Sequence, residues 1–235
     1  MERSTVSPWE RRAWGAGVVF VVALVAEAVI STAIPVNQND SAAKIAGALD
    51  DHRDAILVAA YLSVVYAAMF LIYLWKLHGA LSAAVERPNG LATLVLVAGV
   101  LLVALHGVSD IGIYGMLGAK LASYSAHHDQ GISYTLYLAT FALDSVGDVF
   151  GSLFLLAAGS LILTTGAMPR WLGWTATVAG ALLFLQGFGL GGVINTFGLV
   201  ADLIGFVLFL VFVFGSSVAM LRRGDAVPVR EAPGL

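Results

Sequence analysis

The chain has 235 residues, of which 59% are hydrophobic and only 11% carry a charge, and its mean hydropathy is +0.89. Soluble domains carry roughly 25% charged residues, so this composition and its recurrent apolar runs indicate a chain embedded in a lipid bilayer. The absence of cysteine excludes disulfides, thiolate metal sites and cysteine nucleophiles, and the net charge of -3 without a basic patch argues against nucleic-acid binding.

Residues 13–34 form the first apolar run, which as a helix would be about 33 Å long at roughly 1.5 Å per residue, enough to cross a bilayer. A polar segment, residues 1–12, precedes this run, and one acid, Glu27, interrupts it. Residues 26–28 have the small-x-small form of a signal-peptide cleavage site. Because the apolar character resumes at Val29, a retained membrane helix is favoured over a cleaved leader.

Pro35 is predicted to end the first helix, because proline cannot continue the hydrogen bonding of a helix interior. The polar stretch that follows is predicted to contain a short helix, which Asn39 or Asp40 would cap and which would run through Leu49. This helix would lie between the first and second spans.

Five further apolar runs predict five more membrane-spanning helices. A glycine-containing loop is predicted between the third and fourth spans, with His127, His128 and Asp129 at its tip. A solvated loop tip is favoured there over a metal site on the surface. The five runs cover residues 55–77, 91–114, 135–164, 172–194 and 198–221.

The distribution of basic residues predicts the orientation of the chain. Of the 12 Lys and Arg residues, nine fall on the side of the N terminus and three on the opposite side. This asymmetry places both termini in the cytoplasm, in agreement with an even number of spans. We therefore predict an all-α polytopic protein of a bacterial plasma membrane, with six transmembrane helices in one bundle. Residues 1–12 and 222–235 would be cytoplasmic and residues 13–221 would form the transmembrane domain.

Ionisable side chains inside the predicted spans are the candidate functional residues. Each charge at a helix centre costs roughly 2.5–3.5 kcal/mol on insertion, and no Lys or Arg lies deep in any span. Asp144 and Asp148 are four residues apart, so one helix face carries both carboxyls, and His106 precedes Asp110 by the same spacing. The candidate ligand-binding residues are Glu27, His106, Asp110, Asp144, Asp148, Gln186 and Asp202.

Three interpretations of this set remain open. The carboxyls could form a neutral network, being protonated or sharing hydrogen bonds with one another, with His106 and with tyrosines such as Tyr66. They could instead line an outward-facing pocket that binds or moves a small cationic or protonatable ligand. They could also serve a metal-dependent intramembrane hydrolase, with a metal-bound water near His106 and with Asp148 as general base. A further alternative is an accessory or structural subunit without a ligand.

Neither a cofactor nor a resident metal is predicted. Bis-histidine haem needs two intramembrane histidines and only His106 lies in a span, while a retinal Schiff base needs a lysine in the middle of a span. No dense metal-ligand motif such as His-Glu-x-x-His is present. Catalytic residues are therefore not assigned, and a binding protein is favoured over an enzyme. The expected partners are the lipid bilayer and a small cationic ligand, and the oligomeric state is not assigned.

Glycine, proline and arginine recur in a particular order around the turn before the fifth span. The residues concerned are Phe150-Gly151, Gly159, Leu161-Ile162, Gly166 and Pro169-Arg170-Trp171-Leu172-Gly173. This order resembles a bacterial multi-pass membrane family that is catalogued only as a domain of unknown function, in which a span ends in Gly-x-x-Pro-Arg-x-Leu-Gly. The connection Glu86-Arg87-Pro88-Asn89 is similar as well. The resemblance implies six spans and a cytoplasmic turn at Arg170, and it implies no activity or functional residue.

Overall fold

The structure is a computed structural model, and it describes residues 8–37, 39–85, 89–187 and 195–223. All regular secondary structure within these ranges is helical, which confirms the predicted all-α class. The helices of the described ranges are α1 (Pro8–Thr32), α2 (Ala42–Asp51), α3 (Arg53–Ala83), α4 (Gly90–His127), α5 (Gln130–Thr165), α6 (Arg170–Gly187) and α7 (Asn195–Arg223).

Five helices within the described residues are long and apolar enough to cross a membrane, in α1, α3, α4, α5 and α7. Their outer faces expose large apolar side chains, among them Val22, Val29 and Leu203, each more than 60% exposed. Such apolar faces are stable in contact with lipid. The helices also satisfy their own backbone hydrogen bonds, as the interior of a bilayer requires. The architecture is therefore that of a multi-pass membrane protein. The helix α6 coincides with the predicted fifth span, whose residues 188–194 lie outside the described part of the chain.

The six longest helices pack side by side in a closed ring. The helix α1 contacts α3, and each following long helix contacts the next one along the chain until α7 returns to α1. Glycines allow the closest approaches, as small residues do wherever membrane helices pack. A Cβ added at Gly159 of α5 would lie 2.8 Å from the carbonyl oxygen of Gly173 on α6, so this contact requires glycine.

The interior of the ring holds a cluster of aromatic side chains. Phe20 of α1 and Phe70 of α3 have ring centroids 5.0 Å apart, and Phe209 of α7 packs against both. Phe154 of α5 and Phe212 of α7 extend the cluster, and all five rings are buried. Two phenylalanines of the last span, Phe209 and Phe212, thus belong to the core of the bundle.

The short helix α2 lies over one end of the ring, against the last part of α4 and the first part of α5. Its apolar face buries Ile45 and Leu49, which pack with Ala119, Ala122 and Tyr137 in a second apolar cluster. This packing orders the connection between the first two long helices.

Ser41 caps α2, because its side chain accepts a hydrogen bond from the backbone N–H of Lys44. The prediction that Asn39 or Asp40 caps this helix is therefore wrong. The Asp40 carboxylate instead pairs with the Lys44 ammonium at 2.8 Å and accepts from the backbone N–H of Asn37, and these contacts lower the pKa of Asp40. Its carboxylate is thus engaged in the turn before the helix.

The helix α4 is longer than the predicted third span. Its first part, Gly90–His106, is an α-helix, its middle part, Gly107–Gly118, is a π-helix, and its last part, Ala119–His127, is again an α-helix. The prediction of a loop after the third span is therefore wrong, since only a two-residue turn separates α4 from α5. The chain stays helical because the last part of α4 packs against α2 and α5.

Candidate functional site

Five of the seven predicted site residues converge between α1, α4 and α5. Glu27 on α1 lies within electrostatic range of His106, Asp110 and Asp144, and His106 in turn interacts with Asp110, Asp144 and Asp148. The four-residue spacing of Asp144 and Asp148 turns both carboxyls of α5 toward α4, as expected for one helix face. We call these five residues the acidic cluster.

The imidazole of His106 faces the carboxylate of Asp148, with 3.8 Å between Nε2 and Oδ1. The other ring nitrogen, Nδ1, lies 3.1 Å from the backbone carbonyl oxygen of Leu102. A carbonyl oxygen can only accept, so Nδ1 is the donor of this hydrogen bond and carries a proton. Nε2 therefore holds a second proton only when the ring is charged, and that charge would lie directly beside Asp148.

Two glycines of α5 make room for α4. A Cβ added at Gly147 would lie 2.5 Å from both Cε1 and Nδ1 of His106, and one added at Gly151 would lie 3.2 Å from a methyl carbon of Leu102. Both glycines therefore serve packing inside the bundle. Gly147 also has a role at the site, because it lets the imidazole approach α5.

The remaining acids of the cluster have different partners. The phenol of Tyr66, on α3, donates a hydrogen bond to Oδ2 of Asp110. The hydroxyl of Ser31 donates to Oε1 of Glu27 at 2.5 Å. Oδ1 of Asp144 is buried and has no hydrogen-bond partner among the described residues. The cluster is therefore only partly satisfied by the side chains around it, and a buried acceptor without a donor is costly.

A cavity of about 100 Å³ lies beside the acidic cluster, in the interior of the ring. Each of the six longest helices contributes to its wall. Tyr66, His106 and Asp148 form the polar part of the wall, and phenylalanine, leucine and valine form nearly all the rest. Two members of the acidic cluster, His106 and Asp148, thus line the cavity, and the other three are not part of its wall.

The other two predicted site residues belong to α6 and α7. Gln186 lies in α6 and Asp202 in α7, and their side chains are outside the described part of the structure.

The aromatic part of the cavity wall was missed by sequence reasoning. Phe206 and Phe209 have the spacing of ordinary core residues, so only their position beside a carboxylate distinguishes them.

The described residues do not provide a complete set of ligands for a metal ion. Among the described residues, no group of three or more His, Asp or Glu side chains has an arrangement that could hold a metal ion. At the turn after α4, His127 contacts the carbonyl oxygen of Ser123, and Asp129 caps α5 through the N–H of Gly131. The described geometry therefore gives no support to the metal-dependent hydrolase.

No family model, no curated protein and no solved structure matches the chain. The resemblance of residues 150–173 to a family of unknown function stays a prediction.

Proposed function

We propose that the protein is a six-span protein of a bacterial plasma membrane, with both termini in the cytoplasm, and that its central site binds or moves a small cationic or protonatable ligand. The main support is the convergence of four carboxyls and one imidazole from three helices. The imidazole of His106 and the carboxyl of Asp148 lie on the wall of a cavity. In this proposal α6 is the remaining span, and residues 13–221 form the transmembrane domain between cytoplasmic segments.

Charge balance favours a cation at this site. Lys and Arg are absent from residues 13–32, 93–119 and 130–165, which are the parts of α1, α4 and α5 that carry the acidic cluster. Several carboxylates in a low-dielectric interior need protons or a cation to offset their charge. A protonated His106 offsets one charge at most. A cationic ligand beside Asp148 would offset another, which makes cation binding favourable.

The position of the cluster supports access from the outer side. With the termini in the cytoplasm, α2 and the turn between α4 and α5 lie on the outer side of the membrane. Glu27 is five residues from the end of α1 that faces α2. The acidic cluster is therefore closer to the outer surface along α1 than to the cytoplasmic surface.

The proposal is tested by thermal unfolding of the purified full chain in a non-ionic detergent, with a panel of monovalent cations, divalent cations and amines. A ligand that binds only the folded state stabilises it by about 2.7 kcal/mol at 100 times its Kd. We expect at least one class of cation to raise the Tm, and Asp148→Asn and Asp144→Asn to remove this shift. Asp54→Asn is the matched control, because it removes an exposed carboxylate at the start of α3. An unchanged Tm across the panel would contradict the proposal and favour the accessory subunit.

A further inference from the structure

Aromatic rings form a large part of the cavity wall. Phe20, Phe70, Phe206 and Phe209 line it together with the ring of Tyr66. These rings come from α1, α3 and α7 and support one another, since Phe20 lies edge-on to Tyr66 at 6.0 Å and to Phe209 at 5.8 Å between centroids. The cavity therefore presents one carboxylate and a set of aromatic rings to the same small volume.

This lining is poorly suited to an inorganic cation. Hard cations such as Na⁺, Mg²⁺ and Ca²⁺ take oxygen ligands, with six or more around Ca²⁺. The cavity wall offers oxygen atoms mainly from Asp148 and Tyr66, and its remaining side chains are apolar apart from His106. An inorganic ion would lose its water there without equivalent replacement. The same wall would bury the methyl groups of an organic cation favourably.

Aromatic rings attract organic cations in addition to burying them. The negative face of a ring attracts a cation within about 6 Å of its centre, and the attraction is strongest where water is excluded. Cages of this kind bind quaternary ammonium groups and methylated amines in other proteins. Asp148 would supply the opposite charge, and the rings would surround the alkyl groups.

The volume limits the size of the ligand. A dry cavity of about 150 Å³ lined by Leu, Ile and Phe can hold benzene. The cavity beside Asp148 measures about 100 Å³, so its occupant is smaller than benzene. Trimethylammonium satisfies this limit, whereas tetramethylammonium, longer alkyl chains and aromatic amines exceed it.

We infer that the cavity is a binding site for a small methylated ammonium ion, with trimethylammonium as the type case, held between Asp148 and the aromatic wall. This inference rests on the proposed function and specifies its ligand. It adds that methylation of the nitrogen strengthens binding and that a neutral molecule of the same shape does not bind.

The test is a calorimetric titration of the full chain in a non-ionic detergent and phosphate buffer, which avoids amines. The probes are trimethylammonium chloride, tetramethylammonium chloride, ammonium chloride, NaCl and tert-butanol, the last being a neutral molecule of similar shape to trimethylammonium. We expect trimethylammonium to bind at least tenfold more tightly than ammonium, Na⁺ or the larger tetramethylammonium. We expect no binding of tert-butanol and none of any probe by Asp148→Asn.

A pair of core variants tests the aromatic wall separately. Phe20→Leu removes a ring from the wall and should weaken trimethylammonium binding at least threefold. Phe154→Leu removes an equally buried ring that does not line the cavity, so it should leave the affinity unchanged. Circular dichroism and the Tm without ligand show whether both variants are folded, and Phe206→Leu, which removes another ring of the wall, replaces Phe20→Leu if the latter is not.

The outcomes separate this inference from the proposed function. If ammonium or Na⁺ binds in an Asp148-dependent manner and methylated ions do not, the methylammonium inference fails and the proposed function stands. If tert-butanol binds as tightly as trimethylammonium, the site is apolar and both fail. Equal effects of Phe20→Leu and Phe154→Leu would also overturn the role of the aromatic wall.

Discussion

The position of a single imidazole depends on a residue that has no side chain. His106 reaches Asp148 only because Gly147, on the facing helix, leaves space for the ring. The hydrogen bond from Nδ1 to the Leu102 carbonyl then fixes which nitrogen faces the carboxylate. A glycine that a sequence presents as a packing residue thus also decides the geometry of an ionisable pair.

Gly147→Ala is expected to destabilise the protein by about 1–3 kcal/mol, because its methyl group overlaps the imidazole and forces a shift in a packed interior. It should also weaken cation binding, since His106 would move relative to Asp148. The measurements are the free energy of unfolding in detergent and the titration with trimethylammonium. The control is Gly79→Ala on α3, where no atom lies within 4 Å and where Ala is expected to stabilise the helix by about 1 kcal/mol. Equal tolerance of the two changes would show that the imidazole does not lie against Gly147.

At the scale of elements, the two residues that α4 contributes to the acidic cluster have partners on different neighbouring helices. His106 ends the first α-helical part and faces Asp148 on α5, whereas Asp110 lies in the π-helical part and accepts from Tyr66 on α3. In a π-helix the backbone hydrogen bonds span five residues, so side chains fall at different angles from those of an α-helix. The change from α-helix to π-helix thus coincides with a change of neighbouring helix, from α5 for His106 to α3 for Asp110. Turns of π-helix are frequent at functional sites.

The π-helical part, Gly107–Gly118, is expected to be the least stable part of α4. Each glycine lowers helix stability by roughly 1 kcal/mol relative to alanine. The π-helical part contains four glycines. Its amides should exchange hydrogen faster than those of Gly90–His106 in the same helix, as measured by mass spectrometry in detergent. Residues 150–160 of α5 are the control, because they form a regular buried helix. Equal protection of the two parts of α4 would contradict this expectation.

At the scale of the whole molecule, the closed ring creates the site. The ring brings α1 and α7, from opposite ends of the chain, into contact, and this contact places Phe20 beside Phe209. The helix α2 then covers one end of the bundle. No pair of helices contains the whole cavity wall, so the site exists only when the ring is closed.

The proposed orientation is testable because the chain contains no cysteine. Asp51→Cys and His128→Cys, both at exposed positions, should react with a membrane-impermeant maleimide in intact bacterial cells. Ala84→Cys, exposed after the end of α3, should react only after the membrane is permeabilised. Mass spectrometry of the purified variants measures the labelling. The reverse pattern would invert the orientation and place the acidic cluster nearer the cytoplasm along α1.

The amino-acid sequence alone determined the class of the protein and the residues of interest. Long apolar runs in a chain with few charges indicate membrane helices, because in lipid each segment must satisfy its own backbone hydrogen bonds. Acids such as Asp144 and Asp148 stand out in those runs, because each is costly to insert. Their common helix face also follows from spacing alone, since it depends only on the regular geometry of one helix.

Only the tertiary structure decided which of these residues meet and what surrounds them. The direction in which a helix turns its side chains depends on its neighbours, so Phe209 lines the cavity while Phe214 on the same helix is exposed. The extension of α4 to His127 depends on packing against α2, which local sequence does not reveal. The cavity depends on contacts between residues far apart in the chain, such as Phe20 and Phe209, and periodicity within one helix carries no information about them.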